Sequence, residues 1–523
     1  MRLKHVALTS LVLLTPALGQ PSINDPGPPG EWTVYPGSYN SQRHSPLKQV
    51  TPANAHRLQV KWVYHVAGSR ELEMTPVVKD GVMYIPQYNR VDAIDAKTGN
   101  VIWRYQRQPA STAAYRGTSV YDGKVYIATT DAHLVALDAR SGGVVWDVAV
   151  EGGRRLSGVA PMAANGKIIV GVLDQPDGYI QAYDAKTGKH AWTWHAIPRP
   201  EDPEYKSWSG NTKEGGGAIW MSGSYDPEQN VIIYGTGQPN PPYSNEVREG
   251  DNLYSDNIVA IDVDTGKLKW HFQTTPHDQH DWDAASGSQV LVDAVYEGKP
   301  RKLLMHADRN GFFYLIDRTI GKFLRGNSFI DDMNWATGLS PEGRPILLGD
   351  GAKPSIKGTL TCPSTAGATN WPSATYSPET GWLYFHAVEG CGVNFRSSVT
   401  PGAGTSYIES PDDKTKWVSH IRAMDPMTGK RMWDVTEERS NHYGPGLLST
   451  ASGLLFAPGQ FGHVAMLDAK TGKDLWHFNT GDFITASPIT YMLDGKQVFA
   501  IAAGTNIFAF GLPGSGSGAG GKP

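Results

Sequence analysis

The strongest constraint on the fold of this chain is a recurring phrase close to A-x-D-x-x-T-G-x-x-x-W. Its copies are centred on Asp95, Asp138, Asp184, Asp262, Asp317, Asp425 and Asp468. The copy at Asp317 (LIDRTIGKFL) is degenerate. Successive copies are separated by 43, 46, 78, 55, 108 and 43 residues. The shortest spacing is typical of one four-stranded blade of a β-propeller.

Each copy of the phrase predicts two strands and the tight turn between them. Alternating residues lead into the aspartate, whose carboxylate is expected to hydrogen-bond the Thr-Gly turn, and the following strand carries the tryptophan. Two further β-runs precede each phrase, such as TPVVKDGVMYI before Asp95. Four antiparallel strands per repeat make a blade, so we expect the repeated aspartates and tryptophans to be structural rather than catalytic.

The number of blades follows from the two ends of the chain. Seven phrases predict seven blades, and SPITYML, KQVFAIAA and NIFAFGL add three C-terminal strands without a phrase. Residues 58–66, with Trp62 in the register of the repeat, supply the fourth strand, which closes the ring and covers both edges. The prediction is an all-β, eight-bladed propeller of four-stranded antiparallel blades with tryptophan-docking repeats. It occupies residues 20–513 as one domain, followed by a flexible Gly/Ser tail at 514–523.

The long spacing of 108 residues contains two Gly/Pro/Ser-rich stretches, at 326–367 and 390–413. We interpret them as loop insertions rather than as a ninth blade. Insertions of this kind fall on the face formed by the second-to-third-strand loops and the crossings between blades. They comprise residues 196–214, 240–256, 275–288, 326–367 and 390–417. Since functional residues concentrate on such loops, we expect the site on this face.

The N-terminus and the composition restrict the location and the partners. Residues 1–19 have a basic start, a short apolar run and a small-residue ending, which predicts a signal peptide and a periplasmic or secreted protein without a membrane anchor. A net charge of −4 without a basic block argues against a nucleic-acid partner. The two cysteines exclude a Cys-rich metal centre, and no CxxCH motif for attached haem occurs. In an exported chain Cys362 and Cys391 are predicted to pair.

The segment TTPHDQHDWD is the strongest candidate for chemistry. Asp281 and Asp283, at i and i+2 on extended backbone, would point the same way and offer carboxylate oxygens to a hard cation. Alternatively, His277, Asp278, His280 and Asp281 would serve a transition metal. A solvated acidic loop without a metal is the third interpretation.

Three more side chains are expected on the same face. Trp220 follows a Gly-Gly-Gly run between the third and fourth blades, where an indole can lie under a planar ligand or pack as an ordinary core residue. Arg116 and Arg309, in AYRG and DRNG, can each pair with a carboxylate of a ligand or with the acidic loop.

Together these features resemble the pyrroloquinoline quinone (PQQ)-dependent alcohol dehydrogenases, the quinoprotein methanol/ethanol dehydrogenase family. The resemblance runs from residue 32 to 511, and GGGAIW, YGTGQP, TPHDQHDWD, HADRNG and the 29-residue spacing of the cysteines carry it. It implies an enzyme of the soluble type, without a haem domain, that oxidises an alcohol to an aldehyde or ketone. Hydride would pass to PQQ, a metal ion would act as Lewis acid, and electrons would leave to a separate soluble cytochrome c.

The resemblance also implies a role for each candidate residue. PQQ would be bound by Arg116, Gly158, Trp220 and Arg309, with its ring stacked on the tryptophan. Asp281 would be the general base, assisted by Arg309 near the quinone oxygens. The metal ligands would be Asp281, Asp283, Gln238 and Asp174. Asp283 matches an additional acid of the lanthanide-using members, which favours a lanthanide over Ca²⁺.

Three departures from the family pattern suggest a changed metal geometry and substrate pocket. Residues 111–115 (STAAY) lack the usual pair of adjacent cysteines, and Gln238 replaces an asparagine. The loop at 173–177 is short, so that Asp174 or Asp177 must replace the family's glutamate ligand. A non-catalytic propeller that serves as scaffold or binding protein, and a quinoprotein acting on sugars, polymers or aldehydes, remain as alternatives. The natural substrate, redox partner and oligomeric state stay open.

Overall fold

The structure is a computed structural model that describes residues 23, 30–87, 89–108, 115–152, 160–172, 177–209, 211–213, 215–400, 403–407, 417–437 and 444–514. The predictions for the signal peptide, Gly158 and Asp174, and nearly all of the predicted tail, lie outside these residues. Among the described residues, no helix has the length and apolar character needed to cross a membrane. The short helices are all of the 3₁₀ type, at Ala55–Arg57, Pro203–Trp208, Asn245–Val247 and Ala284–Ser286.

The described strands form eight sheets of blade type, as the repeat predicts, numbered here as blades 1 to 8. The two N-terminal strands are β1 (His44–Ser45) and β2 (Gln59–His65). Blade 1 contains β3 (Val77–Lys79), β4 (Val82–Gln87), β5 (Arg90–Asp95) and β6 (Val101–Gln106). Blade 2 contains β7 (Ser119–Tyr121), β8 (Lys124–Ala128), β9 (His133–Asp138) and β10 (Val144–Ala149). Blade 3 contains β11 (Met162–Ala164), β12 (Lys167–Val172), β13 (Tyr179–Asp184) and β14 (His190–His195). Blade 4 contains β15 (Ser224–Asp226), β16 (Val231–Gly235), β17 (Asn257–Asp262) and β18 (Leu268–Gln273).

The second half of the chain continues the pattern with two small inserted sheets. Blade 5 contains β19 (Val290–Tyr296), β20 (Lys299–Ala307), β21 (Phe312–Asp317) and β22 (Lys322–Ser328). The inserted strands are β23 (Ala336–Leu339), β24 (Pro345–Leu347), β25 (Thr359–Thr361), β28 (Gly392–Arg396) and β29 (Gly404–Tyr407). Blade 6 contains β26 (Thr375–Ser377), β27 (Trp382–Glu389), β30 (Val418–Asp425) and β31 (Lys430–Glu437). Blade 7 contains β32 (Leu448–Thr450), β33 (Leu454–Pro458), β34 (His463–Asp468) and β35 (Asp474–Asn479). Blade 8 contains β36 (Ile489–Leu493), β37 (Lys496–Ala503) and β38 (Asn506–Gly511) together with β2.

The 108-residue spacing holds strands that the sequence analysis did not predict. β23 pairs with β24, and β25, β28 and β29 form a three-stranded sheet. The interpretation of these stretches as loops is therefore wrong in this respect, although the described residues contain no ninth blade. The strands are only three to five residues long, and β25 and β28 pair across a gap of about 30 residues, so that the sequence pattern does not indicate them.

The repeated tryptophans connect each blade to the next one. The indole N–H of Trp103 donates to the backbone carbonyl of Ala139, the residue that follows the repeat aspartate of blade 2, at 3.1 Å. A Cβ atom on Gly142 would approach the Trp103 ring to 2.6 Å, so the glycine of the phrase is required by this packing. Equivalent bonds to the residue after the next blade's aspartate start from Trp62, Trp146, Trp192, Trp270 and Trp433. The structural interpretation of the repeat is confirmed.

Blade 5 replaces the docking tryptophan by an arginine. Arg325 stands at the position of the tryptophan in the degenerate phrase, and its Nη1 donates to the carbonyl of Met427 at 2.9 Å. A Cβ on Gly429 of blade 6 would meet Arg325 Nη2 at 3.0 Å. Asn327 lies closer still to that Cβ position, so Arg325 and Asn327 together cover the glycine that an indole covers in other blades.

Blade 8 is built from both ends of the chain. β2 pairs antiparallel with β38, with Trp62 opposite Ala509. Trp62 also donates to the carbonyl of Ala96 in blade 1 at 3.2 Å. The strand pairing predicted for residues 58–66 is therefore observed.

Candidate functional site

The acidic loop is anchored by Trp282 above the interface of blades 4 and 5. Its side chain is fully buried with Ile258, Trp270 and Tyr314, and its indole N–H donates to the carbonyl of Ser364 at 2.9 Å. The Asp278 carboxylate accepts the backbone N–H groups of His280 and Trp282 at 2.9 and 3.0 Å. Asp278 is therefore a structural residue that shapes the turn.

The backbone at Asp281 differs from the sequence prediction. Asp281 has φ of +67°, in the left-handed region, whereas the prediction assumed extended backbone from Asp281 to Asp283. The assumption is wrong because the buried Trp282 between them forces the chain to turn. Aspartate tolerates this conformation better than most residues.

The two carboxylates nevertheless converge on one guanidinium. Asp283 Oδ2 lies 2.9 Å from Arg309 Nη1, and Asp281 Oδ2 lies 4.0 Å from Arg309 Nη2. Arg309 Nη2 also donates to the carbonyl of Thr365. Asp283 Oδ1 accepts the backbone N–H of Gln238 at 2.6 Å, so Gln238 contacts the cluster through its backbone. The structure thus brings Asp281, Asp283, Arg309 and Gln238 together.

Asp281 has a further neighbour that the sequence analysis missed. The hydroxyl of Tyr243 donates to Asp281 Oδ2 at 3.4 Å and lies 2.7 Å from Thr365 Oγ1 and 3.1 Å from Ser406 Oγ. The Asp281 side chain keeps 28% of its surface exposed, whereas that of Asp283 keeps 8%. Asp281 is therefore the carboxylate that a small molecule can reach.

Burial and mutual repulsion disturb the protonation of both acids. Burial raises the pKa of Asp281 to about 7; Arg309 opposes the rise, and the charges of Asp283 and Asp278 add to it. Burial also raises the pKa of Asp283, against the effects of Arg309, the Gln238 backbone N–H and a hydrogen bond from Trp220. Acids with a raised pKa in a cleft are typical of sites that move protons or bind cations.

The histidines of the loop are not arranged as metal ligands. His277 Nδ1 donates to the carbonyl of Gly250 at 2.6 Å, and His280 Nε2 donates to that of Gly351 at 2.8 Å. Across the described part of the chain, no group of three or more His, Cys, Asp or Glu side chains has the geometry to hold a metal ion. The alternative of a transition-metal site at His277, Asp278, His280 and Asp281 is therefore wrong. Among the described carboxylates, those of Asp281 and Asp283 are the candidate ligands for a hard cation.

Arg116 and Trp220 are neighbours, as expected. The Arg116 guanidinium carbon lies 5.0 Å from the ring centroid of Trp220 and 4.6 Å from that of Trp371, a residue that the sequence analysis did not single out. Arg116 Nη1 is buried and has no hydrogen-bond partner among the described residues; the nearest carboxylate oxygen, on Glu73, is 3.5 Å away. A guanidinium held between two indoles with an unused N–H group suits an anionic, planar ligand.

Two of the three glycines before Trp220, Gly216 and Gly217, are explained by close packing. A Cβ on Gly216 would lie 2.5 Å from the carbonyl oxygen of Gln238, and one on Gly217 would lie 2.7 Å from Ala196 Cβ. They bring the Trp220 segment against the Gln238 segment, which holds Asp283. Asp177, one of two candidates for the missing metal ligand, forms an ion pair with Arg199 at 2.8 Å.

Asp256 is a buried acid that sequence reasoning missed. It is fully buried, and neither carboxylate oxygen has a hydrogen-bond partner among the described residues. Burial raises its pKa well above the usual value, and the charges of Asp278, Asp283 and Asp308 raise it further. In the sequence Asp256 is one polar residue before a strand, so no pattern distinguishes it.

The predicted disulfide between Cys362 and Cys391 is confirmed, and it lies beside the site. It links the end of β25 to the start of β28, and the segment after Cys362 supplies the carbonyls of Ser364 and Thr365. Those carbonyls hold Trp282 and Arg309. The disulfide therefore braces the residues that position the acidic loop.

Comparisons with known proteins agree with this geometry. The family model described as "Glucose/ethanol/alcohol dehydrogenase, beta-propeller domain" matches residues 32–326, and that described as "Outer membrane protein assembly factor BamB" matches residues 418–511. The quinoprotein alcohol dehydrogenase PedH of Pseudomonas putida is 35% identical over 92% of this chain and 87% of its own. The quinohemoprotein alcohol dehydrogenase of Comamonas testosteroni is 36% identical over 91% of this chain and 72% of its own.

Solved structures show the same relationship. The quinohemoprotein alcohol dehydrogenase from Comamonas testosteroni superposes with a TM-score of 0.87 and 33% identity, covering 95% of this chain and 82% of the other. A europium-containing methanol dehydrogenase superposes with a TM-score of 0.83 and 27% identity, covering 93% and 99%. On the match of more than half its length to the family and on these relatives, the chain belongs to the PQQ-dependent alcohol dehydrogenase family.

Proposed function

We propose that this protein oxidises a small alcohol to an aldehyde or ketone in the periplasm or outside the cell, with PQQ and one hard cation, and passes the electrons to a separate cytochrome c. The observation that supports it best is the convergence of Asp281 and Asp283 on Arg309, beside the Trp220 indole. This arrangement brings a reachable carboxylate, a second carboxylate and a guanidinium together.

The residues present suit PQQ, a planar tricarboxylate. Trp220 and Trp371 offer aromatic faces, and the guanidinium of Arg116 lies within 5.0 Å of both ring centroids. Its unused Nη1 can take a carboxylate oxygen of the ligand. A planar ring that lies on Trp220 has to share that face with the guanidinium, so we expect Arg116 to turn toward a carboxylate when PQQ binds. Gly158 is proposed to line the same site.

The residues also suit a hard cation. Asp281 and Asp283 offer two carboxylates beside the single guanidinium of Arg309, and a bound cation would favour the ionised form of both acids, whose pKa values burial raises. We propose Asp281, Asp283, Gln238 and Asp174 as ligands. Since Arg199 engages Asp177, Asp174 is the stronger candidate to replace the family's glutamate.

A lanthanide is the cation that we favour. Each added carboxylate benefits a trivalent ion more than a divalent one, because the attraction scales with the product of the charges. Asp283 is such an added carboxylate by family analogy, and a similar solved structure is a europium-containing methanol dehydrogenase. Calcium is the alternative that the reconstitution below tests.

The residues of the chain would divide the reaction between them. When bound, PQQ supplies the carbonyl that accepts hydride, and the cation polarises that carbonyl. Asp281 accepts the hydroxyl proton of the alcohol, a role that its exposure allows. Arg309 keeps both acids oriented and presents N–H groups to the oxygens that gain negative charge. The fully buried ring of Trp282 fills the space beneath the loop that carries Asp281 and Asp283, and it thereby excludes water from that side of the loop.

The cytochrome acceptor and the export rest on the sequence and on the relatives. No CxxCH motif occurs, and a relative from Thauera butanivorans, 33% identical over 91% of this chain, is named 1-butanol dehydrogenase (cytochrome c). By analogy with that relative, we propose a cytochrome c as the electron acceptor. The signal-like N-terminus supports export.

Reconstitution tests the proposal directly. The purified protein is mixed with PQQ and either La³⁺ or Ca²⁺, and reduction of an artificial dye is followed with ethanol as substrate. We expect dye reduction that needs both PQQ and a cation and is faster with La³⁺. Quenching of tryptophan fluorescence reports PQQ binding independently of turnover. If the protein shows no PQQ binding and no turnover with either ion, the proposal is refuted and the scaffold function is favoured.

A further inference from the structure

Residues 30–50 run along the first strands of the blades, in the order of the blades around the ring. Backbone carbonyls of this segment accept N–H groups from blades 1, 2, 4, 5, 6 and 7 in turn, at 2.7–3.2 Å. The accepting residues are Trp32, Thr33, Tyr39, Asn40, Gln42 and Arg43. The segment, called here the N-terminal belt, thereby covers strand edges and ties six blades together.

Arg43 brings a positive charge into the interior at this belt. It is 1% exposed, and its guanidinium carbon lies 5.1 Å from the ring centroid of Trp32. The guanidinium donates to the carbonyl of Tyr35 at 2.9 Å, to that of Leu447 at 3.1 Å and to that of Pro488. Burial lowers the pKa of Arg43 to about 10; the phenol of Tyr35 opposes this, and no Asp or Glu among the described residues is close enough to do so.

A buried charge without an opposite charge is costly, because carbonyl dipoles and an aromatic face replace only part of its hydration. A buried arginine is normally paired with a carboxylate, as Arg318 is with Asp226 at 2.8 Å. A guanidinium does not relieve the cost by losing its proton at neutral pH. A small anion from solvent therefore suits the surroundings of Arg43.

A small cavity lies beside Arg43 and has room for such an ion. Its volume is about 20 Å³. One water molecule needs about 10–15 Å³, so the cavity suits a monatomic ion or a water molecule and excludes a polyatomic anion such as sulfate. Five of its lining residues are serines, from the belt and from loops between blades: Ser41, Ser222, Ser286, Ser288 and Ser373.

Hydrogen-bond donors remain for an anion in this cavity. Each Nη atom of Arg43 carries two N–H groups and gives one of them to a carbonyl. Ser288 Oγ accepts the N–H of Ala374 at 3.3 Å, and its own proton has no acceptor among the described residues. Ser222 differs, because its hydroxyl donates to the carbonyl of Ala160 at 2.6 Å.

We propose that this cavity binds one chloride ion as the counter-ion of Arg43, and that the ion stabilises the N-terminal belt. A single negative charge neutralises the guanidinium, and a monatomic ion fits the volume. Asp281, Asp283, Arg309 and Trp220 do not line the cavity. The inference is therefore independent of PQQ, of the hard cation and of the proposed reaction.

The test is urea unfolding of the full-length protein while chloride replaces gluconate at constant ionic strength. Gluconate is too large for the cavity, so the exchange changes the occupancy of the site without changing the screening of charges. Because only the folded protein has the site, each tenfold increase in chloride above its dissociation constant should raise the free energy of unfolding by about 1.4 kcal/mol. Bromide should act in the same way.

Three variants separate the site from a general effect of salt. Arg43→Met removes the charge and keeps an unbranched side chain, and it should abolish the dependence on chloride. Ser288→Ala removes one donor and should weaken chloride binding at least about fivefold while leaving the fold intact. Ser222→Ala is the matched control, since it removes a serine hydroxyl from the same cavity whose proton is already used, and its dependence on chloride should equal that of wild type.

Crystals grown in bromide give a second readout, in which an anomalous scattering peak is expected between the Arg43 guanidinium and Ser288 Oγ. The absence of a peak there would overturn the inference, and so would the same dependence on chloride in wild type, Ser288→Ala and Arg43→Met. A peak without any dependence of stability on chloride would identify an adventitious ion only, which also overturns it.

Discussion

Replacing Asp256 by asparagine is expected to stabilise the metal-free, PQQ-free protein at neutral pH. The carboxyl is fully buried, and neither oxygen has a hydrogen-bond partner among the described residues. Burial raises its pKa, and Asp278, Asp283 and Asp308 raise it further. Asparagine has nearly the same shape and does not ionise.

The expected magnitude follows from proton linkage. The folded protein keeps a proton on Asp256 that the unfolded chain releases above a pKa of about 3.9. The stability that this proton contributes is complete below that pKa and is lost as pH rises toward the folded pKa, by about 1.4 kcal/mol per pH unit. Between pH 4 and pH 7 the loss is at most about 4 kcal/mol. The Asp256→Asn variant should not show this loss of stability.

The assay is urea unfolding of wild type and Asp256→Asn at several pH values from 4 to 8. The two proteins should be similar near pH 4, and the variant should become increasingly more stable as pH rises. Asp226→Asn is a matched control with the opposite sign. Asp226 is equally buried, but Arg318 and Gln229 each donate a hydrogen bond to it at 2.8 Å. Burial alone would raise the pKa of Asp226, but these two partners outweigh it, and the pKa is lowered. Its variant should lose about 3–5 kcal/mol at neutral pH.

A constant difference between wild type and Asp256→Asn across the whole pH range would refute the reasoning. It would mean that Asp256 ionises in the folded protein as it does in the unfolded chain.

Three further variants test the site. Asp281→Ala should reduce dye reduction at least about 100-fold while circular dichroism stays unchanged; persistent turnover would remove Asp281 from its role as base. Asp283→Ala removes the carboxylate 2.9 Å from Arg309 and should lower La³⁺-dependent activity more than Ca²⁺-dependent activity, whereas equal losses would contradict the lanthanide preference. Replacing Cys362 and Cys391 together by serine opens a loop of 29 residues and should lower the free energy of unfolding by about 3–4 kcal/mol, measured by urea titration; an unchanged midpoint would show that the bridge is dispensable.

The fold could be predicted from the sequence because its determinants are local and repeated. Each repeat aspartate binds the turn that follows it, as Asp184 Oδ1 does with the N–H of Thr187 at 2.8 Å. Trp62 identified the strand that completes blade 8 because it keeps the register of the repeat. Arg325 escaped notice because a guanidinium performs the task of an indole, which no composition rule anticipates.

The candidate site was less accessible to sequence reasoning. Asp281, Asp283 and Arg309 stand in recognisable motifs, but the left-handed turn at Asp281 depends on how Trp282 packs. Tyr243 meets Thr365 across 122 residues of sequence, and such contacts leave no local trace. Asp256 acquires its raised pKa from burial and from acids that are distant in the sequence.

The construction of blade 8 has a consequence for biogenesis. Among the described strands, β2 pairs with β38, which lies more than 400 residues later in the chain. During synthesis, the backbone groups at the edge of β2 stay unpaired until β38 has been made. A nascent chain can therefore complete its other blades while the edge of β2 is still unpaired.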